Sequence, residues 1–272
     1  AGLEAACTAA EVGCNTFLLE KGNELGGLAS LISKIPAKNR LADFPHYLMH
    51  RAEQLDNLYI FKNTEGTPEN IRKFHPNIIV SSTGSAPLLP PIAGLKDRID
   101  NENHNIYSIL GMISHINDFP KDLEGKKVVV VGGGAVGLDV VEFFADRNAD
   151  ISIVEMMDQI GRDLDPVSKN DTKTMMKKHN VHQLTKTALL EVKDSSFLVR
   201  GDGEPYELPF EYGFVCLGMR AQGQLYQNLT EEFSSEDVEI INIGDSQRAR
   251  RIIDGTQEGR NVLTVLEQKG YL

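Results

Sequence analysis

The sequence predicts an α/β fold in two similar halves, each a parallel sheet layered between helices. Three observations predict it. The first is a strand carrying four consecutive valines, Val128 to Val131, which enters Gly132-Gly133-Gly134-Ala135-Val136-Gly137-Leu138-Asp139 and then an apolar helix. A second strand follows, Ile151-Ser152-Ile153-Val154, ending on Glu155, with Gly161 beyond it. The second observation is that part of this unit also stands at the start of the chain: Gly2-Leu3-Glu4, an Ala-rich helix, Phe17-Leu18-Leu19-Glu20, and Gly26. Glycine to glutamate is 18 positions in both copies, glutamate to glycine is 6, and the copies lie 135 residues apart. The third is a later glycine element in each half, Val80-Ser81-Ser82-Thr83-Gly84 and Phe214-Val215-Cys216-Leu217-Gly218. Strands alternating with helices give a parallel sheet covered on both faces.

Residues 3–12 are strong helix formers, and Gly13 suits the C-cap. Residues 15–20 read as a short buried strand, followed by a loop with Gly22, Gly26 and Gly27. The spacing of Leu41, Phe44, Leu48 and Leu55 predicts one amphipathic helix over 39–55. Asn77-Ile78-Ile79-Val80 is a buried strand ending at Ser82-Thr83-Gly84-Ser85, and Pro87, Pro90, Pro91 and Gly94 make a rigid exit. Residues 95–125 form a crossing with one short helix near 107–116. In the second half, Val140, Val141 and Phe144 mark the buried side of the helix after Gly137. Strands near 181–184, 188–193, 196–200 and 206–208 read as antiparallel hairpins, with Gly201 and Gly203 at a turn. Val238 to Ile243 is a strand running into Gly244-Asp245, and 252–268 is a closing helix. The division that follows is 1–94 with 236–272 for one half, and 104–235 for the other.

Composition narrows the class. The chain has 272 residues, 41% hydrophobic and 25% charged, enough for two packed cores. A net charge of −11 argues against a phosphate-backbone partner, since nucleic-acid proteins present a basic face. No apolar run has the length of a membrane span. The three cysteines, Cys7, Cys14 and Cys216, form no CxxC or CxxxxC pair, so no redox dithiol is expected, and a reducing cytoplasm suits them. Homo-oligomer formation stays open.

Gly132-x-Gly134-x-x-Gly137 is weak evidence alone. Here it follows a strand, opens a helix and has an acid 18 positions on, which is the dinucleotide-binding fingerprint of a Rossmann-like domain. Gly132 permits the tight turn, Gly134 admits the pyrophosphate to the backbone, and Gly137 lets helix and strand pack closely. The phosphates sit on the helix N-terminus, where free N–H groups and the macrodipole favour negative charge. Glu155 accepts hydrogen bonds from the ribose hydroxyls and repels a 2′-phosphate. Met156 and Met157 follow it, and the first arginine is Arg162, so NAD is favoured over NADP. Glu20 repeats the role of Glu155 for a second dinucleotide. Gly26 and Gly27 let that cofactor pass without a side chain in the way, and Gly244-Asp245 suits ribityl or phosphate contact to a flavin dinucleotide. Two such halves set two dinucleotides face to face. The glycines matching Gly132 and Gly134 would precede residue 1, as would a first strand. The expectation is therefore a first domain lacking its N-terminal strand, a fragment of a longer protein, holding little or no FAD by itself. His46 and His50 have i, i+4 spacing without a third ligand, so no metal is expected. A nucleotide-binding scaffold without turnover is the second reading, since no acid, base or dithiol stands out.

The run from Val128 to Asp165, with Glu20-Lys21-Gly22, Leu25-Gly26-Gly27, Ser82-Thr83-Gly84, Leu217-Gly218-Met219-Arg220 and Ile243-Gly244-Asp245, resembles one family. It is the C-terminal FAD/NAD(P)-binding region of NADH:flavin oxidoreductases in the Old Yellow Enzyme-related 2,4-dienoyl-CoA reductase and trimethylamine dehydrogenase group. The resemblance covers essentially the whole chain. It implies two Rossmann-like three-layer domains of the FAD/NAD(P)-binding type, and NADH reducing FAD. It further implies that electrons pass on through a four-iron (4Fe-4S) cluster to FMN in an N-terminal barrel that this chain does not include. It assigns Glu20, Gly26, Gly27, Thr83, Gly84, Gly244 and Asp245 to FAD, and Gly132, Gly134, Gly137, Glu155 and Gly218 to NAD(H). The main departure is the expected loss of the first strand and loop; a second, mild one is Ser81-Ser82-Thr83-Gly84, where Ala-Thr-Gly is usual.

Overall fold

The structure is a computed structural model describing residues 1–272. The chain divides into two compact units: unit 1 is Ala1–Ser33, Lys38–Ala86 and Met219–Leu272, and unit 2 is Pro87–Gly218 with Lys34–Ala37.

Unit 1 opens with α1 (Gly2–Glu11), whose run ends where Gly13, at φ 98°, donates its N–H to the Ala10 carbonyl. β1 (Thr16–Leu19) leads through a loop to α2 (Gly27–Ile32). A 3-10 turn at Pro36–Ala42 precedes α3 (Asp43–Glu53), so the single helix predicted over 39–55 is two elements. Pro45 explains the late start, because proline is tolerated only in a first turn. β2 (Leu58–Phe61) pairs parallel to β1. α4 (Pro68–Arg72) is capped by Thr67 Oγ1, which accepts the Asn70 N–H at 3.2 Å. β3 (Ile78–Ser81) and β4 (Ser85–Pro87) close this part of the chain.

Unit 2 begins with α5 (Leu95–Arg98), β5 (Ile106–Tyr107) and α6 (Ile109–Ser114), the last capped by Ser108 Oγ on the Gly111 N–H. Then come β6 (Lys127–Val131), α7 (Ala135–Ala145), β7 (Asp150–Val154), α8 (Pro166–Lys178) and β8 (His182–Leu184). α8 starts as its sequence demands: Pro166 occupies the first turn and Asp165 Oδ1 accepts the Val167 and Ser168 N–H groups at 2.9 and 3.1 Å. β9 (Ala188–Val192), β10 (Ser196–Arg200) and β11 (Tyr206–Pro209) form an antiparallel meander, and β12 (Tyr212–Val215) returns to the main sheet. That sheet has the order β5-β12-β6-β7-β8 and is parallel throughout. The segment near 181–184, predicted antiparallel, is thus its parallel edge strand β8. Val181-His182-Gln183-Leu184 alternates like a hairpin strand, but Ser152 to Val154 claim it in register.

The valines of β6 are buried on both faces, as parallel sheets require. On one face Val129, Val131, Val154 and Val215 pack with Phe197, Val199 and Phe210 from the meander side. On the other, Phe144 of α7 sits 4.8 Å from Phe214 and 5.1 Å from Phe119, ring centre to ring centre.

The chain re-enters unit 1 through β13 (Met219–Ala221), α9 (Gln224–Glu232) and β14 (Glu239–Asn242), and ends in α10 (Ile252–Arg260) and α11 (Val262–Gln268). The predicted closing helix 252–268 therefore breaks at Asn261, where an i→i+3 bond from Thr264 tightens the turn. The limits also differ from 94–104 and 235–236. Leu229 and Phe233 pack on Ile79 of β3, which draws α9 into unit 1. The strands of unit 1 stand as three pairs, of which β1-β2 and β14-β3 are parallel and the third joins β4 to β13. β1 is not a buried strand: Phe17 is 40% exposed and stacks on Tyr59 at 5.3 Å. α1 and α10 touch at Gly259, where an added Cβ would lie 2.9 Å from the Glu4 Cβ and 3.1 Å from the Ala5 nitrogen. No helix is long and apolar enough to cross a membrane.

Candidate functional site

In unit 2 the three fingerprint glycines each do a different physical job. Gly132 has φ 109°, and a Cβ there would run into the Cys216 carbonyl. Gly137 faces the Gly132 carbonyl so closely that any side chain would strike it. Gly134 is the reverse case: no atom lies within 4 Å of an added Cβ, and φ is −80°. It is also the N-cap of α7, and no side chain caps that helix. Free N–H groups at an uncapped helix start, beside open space, form a cradle suited to a phosphate.

Glu155 ends β7 beside this loop. Its Oε2 accepts the Gly133 N–H at 2.6 Å and its Oε1 accepts the Met157 N–H at 2.7 Å. The first of these bonds was not legible in the spacing; the middle glycine of Gly132-Gly133-Gly134 is its only signal. Gly161 donates its N–H to the Gly133 carbonyl at 2.7 Å and holds φ 64°. Gly218 has φ 101° with nothing within 4 Å of an added Cβ, and its carbonyl accepts the Leu88 N–H. Burial pushes the Cys216 thiol up to about 12, helped by the negative charges of Asp139 and Asp100. It is a packing residue beside the loop.

Unit 1 repeats the carboxylate geometry except for the bond that Glu155 Oε2 takes from Gly133, which has no counterpart at Glu20. Glu20 Oε1 accepts the Gly22 N–H at 2.7 Å, as Glu155 Oε1 accepts Met157. Glu20 donates its backbone N–H to Phe61 and accepts Thr64; Glu155 donates to Leu184 and accepts Thr187. Asn63 and Lys186 hold matching left-handed conformations, φ 52° and 50°. Thr64 and Thr187 each turn a hydroxyl to the carbonyl two residues back, at 3.0 and 2.9 Å. These shared details come from loops whose sequences differ, Lys62-Asn63-Thr64 and Thr185-Lys186-Thr187.

The other unit 1 residues sit on three turns. Gly26 and Gly27, φ 102° and 57°, open α2. Gly84, φ 73°, has nothing within 4 Å of an added Cβ, and the Thr83 hydroxyl donates to the Gln222 carbonyl at 2.5 Å. Gly244, φ 69°, donates its N–H to Glu258 Oε2 at 2.6 Å, so that N–H is already used. The turn presents Asp245 instead, whose carboxylate accepts the Ser85 hydroxyl at 3.1 Å and the Arg250 N–H at 3.0 Å. Glu258 also pairs with the Arg250 guanidinium. Glu258 is a residue the sequence reading missed, although its place ahead of Gly259 in the closing helix marks a position facing the turn. His50 hydrogen-bonds Gln54, and no group of three or more His, Cys, Asp or Glu is placed to hold a metal.

The family model for pyridine nucleotide-disulphide oxidoreductases matches residues 1–242. The chain is 27% identical over 263 residues to an NADH oxidase of Thermoanaerobacter brockii, covering 96% of this chain and 39% of that protein. It is 27% identical over 270 residues to a bilirubin reductase of Mediterraneibacter gnavus, covering 98% and 39%. Among solved structures, a 2-naphthoyl-CoA reductase complex shares the fold at TM-score 0.80 and 23% identity, over 95% of this chain and 37% of the other. Histamine dehydrogenase from Rhizobium sp. 4-9 does so at TM-score 0.81 and 17% identity, over 96% and 39%. The chain thus spans about two-fifths of the length of these relatives. It belongs to the pyridine nucleotide-disulphide oxidoreductase family, with the Rossmann-like FAD/NAD(P)-binding fold of that family.

Proposed function

We infer that this family member is an NADH-dependent flavin oxidoreductase module, with NADH on unit 2 and FAD on unit 1; together those cofactors supply hydride transfer. The carrying observation is the open, uncapped start of α7 at Gly134 beside the Glu155 carboxylate. There the α7 N–H groups hold a pyrophosphate, Gly132 and Gly137 shape the turn, and Glu155 orients the adenosine ribose. Gly218 keeps its face clear for the nicotinamide side. On unit 1, Glu20 takes the matching ribose, Gly26, Gly27, Thr83 and Gly84 line the flavin dinucleotide, and Asp245 accepts from its polar chain. The protein's share of the chemistry is binding, orientation and exclusion of water.

The three cysteines are free and form no dithiol, and burial raises the thiols of Cys7, to about 11, and Cys14 as well as Cys216. A flavin bound here would therefore find no disulfide of this chain to receive its electrons. That suits the Old Yellow Enzyme-related group, in which an iron–sulfur cluster and FMN outside this region receive them. The NADH oxidase and reductase relatives, of which this chain spans two-fifths, support that placement. Anaerobic NADH titration of the full-length, flavin-loaded parent protein is expected to bleach the flavin's visible absorbance; an unchanged spectrum overturns the reading.

Glu155→Ala is expected to weaken NADH binding about 10- to 100-fold, the worth of hydrogen bonds to a charged group. NADPH, which the carboxylate already repels, loses less. The ratio of the two affinities, from fluorescence titration of one variant, is insensitive to any general damage. Equal losses for both nucleotides would remove the ribose from Glu155.

A further inference from the structure

Two methionines follow Glu155 directly, and both are exposed: Met156 at 68% and Met157 at 40%. Scattered exposed apolar residues need no explanation. These two are adjacent and lie on a loop pinned by hydrogen bonds. Met157 gives its N–H to Glu155 Oε1 and its carbonyl accepts the Lys186 N–H at 2.8 Å.

The molecule contains its own control for what that loop needs. In unit 1 the equivalent loop makes the same bonds, Gly22 N–H to Glu20 Oε1 at 2.7 Å and Asn63 N–H to the Gly22 carbonyl at 2.9 Å. It does so with Lys21 and Gly22 where unit 2 has Met156 and Met157. Lys21 turns outward to pair with Glu65. The backbone conformation therefore requires no apolar side chain at either position. The methionines of unit 2 do not serve the folding of the loop, and their side chains are not packed into the core.

We propose that Met156, with Met157 beside it, is the platform on which the adenine ring of the nucleotide rests. This rests on the reading that Glu155 holds the adenosine ribose. Adenine is joined to that same ribose, so it lies within one ring's reach of the carboxylate. A polarisable thioether against a planar aromatic face is a favourable contact, and flexible methionine adapts to it. A surface-exposed methionine pair fixed by backbone bonds beside a ribose site presents that thioether without further rearrangement.

The test uses two ligands that share a nicotinamide and differ in the adenosine. NADH carries adenine; reduced nicotinamide mononucleotide does not. Met156→Ala is expected to weaken NADH about 2- to 10-fold, the range of a sulfur–aromatic contact, and AMP competition by the same factor. Affinity for reduced nicotinamide mononucleotide is expected to stay unchanged. Met156→Leu, which keeps an apolar body of similar size, is expected to recover most of the loss. Met156→Lys, carrying the residue of the unit 1 loop, is expected to recover none. Wild-type affinity for NADH in the Met156→Ala plus Met157→Ala double variant overturns the platform. Equal losses for both ligands overturn it too, because that reports a disturbed loop. If the wild-type protein binds no NADH, the functional reading itself falls, an outcome separate from the other two.

Discussion

Gly134→Ala is expected to leave the melting temperature unchanged and to lower NADH affinity about 10- to 100-fold. The two halves of that result come from two independent observations. Folding tolerates the change because φ at Gly134 is −80°, open to any residue, and an added Cβ touches nothing within 4 Å. Replacing glycine by alanine at such a site even restricts the unfolded chain slightly. Binding does not tolerate it because that empty space is where a pyrophosphate must approach the free N–H groups of α7. Losing hydrogen bonds to a charged group is worth roughly 1.5–3 kcal/mol, which sets the expected factor.

The neighbouring glycines give the opposite pattern and so form the control. Gly132→Ala forces a Cβ into the Cys216 carbonyl at φ 109°, and Gly137→Ala forces one into the Gly132 carbonyl. Both neighbours are backbone and cannot swing aside. Each variant is expected to lose stability by about 1–3 kcal/mol, the usual range for overpacking. Thermal melts and NADH titrations of the three variants together separate a phosphate cradle from a purely structural turn. A Gly134→Ala protein that binds NADH like the wild type removes the cradle.

How far the sequence carried the fold depended on whether a feature was local. The elements of the run from Val128 to Glu155 were legible, because a buried strand, a glycine turn and an uncapped helix are all written in adjacent residues. The repeat of Glu20 was legible from spacing alone. Features decided by distant partners were not. Val181 to Leu184 alternates like a hairpin strand, yet becomes parallel β8 because β7 offers its edge. Phe17 looks buried by composition, but it meets the rings of Tyr59, Phe61 and Phe74 and stays 40% exposed. α9 left the domain predicted for it because Leu229 and Phe233 find Ile79. At the site, Glu258 escaped notice since its partner, the Gly244 N–H, lies 14 residues away across a turn. The positive φ of Asn63 and Lys186 escaped notice because neither residue type demands it.

The charge network beneath α1 carries the largest expected stability effect. Glu4 is buried, with its side chain 1% exposed, and its Oε1 accepts from Arg51 Nη1 and Arg260 Nε, both at 2.9 Å. Its Oε2 has no partner. Arg51, on α3, also forks onto Glu11 at 2.5 and 2.6 Å. Arg51→Ala therefore leaves a buried carboxylate with Arg260 alone. Breaking a buried pair by removing one partner costs about 3–5 kcal/mol, which for a chain of this size is a fall of roughly 10 °C in melting temperature. The exposed pair Lys21–Glu65 is the comparison, and Lys21→Ala is expected to cost under about 1 kcal/mol. Acid sharpens the test. The Arg51 hydrogen bonds hold the Glu11 carboxyl below its ordinary value of 4.5. A depressed carboxyl stabilises the fold above that ordinary value, and the contribution is lost as pH falls through the folded one. The wild type is expected to lose stability as pH drops below about 4.5, and Arg51→Ala, which has no such bond to lose, is expected to show a shallower acid slope. Parallel slopes for the two proteins, or a variant that melts with the wild type, would mean that Arg260 alone satisfies Glu4 and that the fork onto Glu11 contributes nothing to holding α3 against α1.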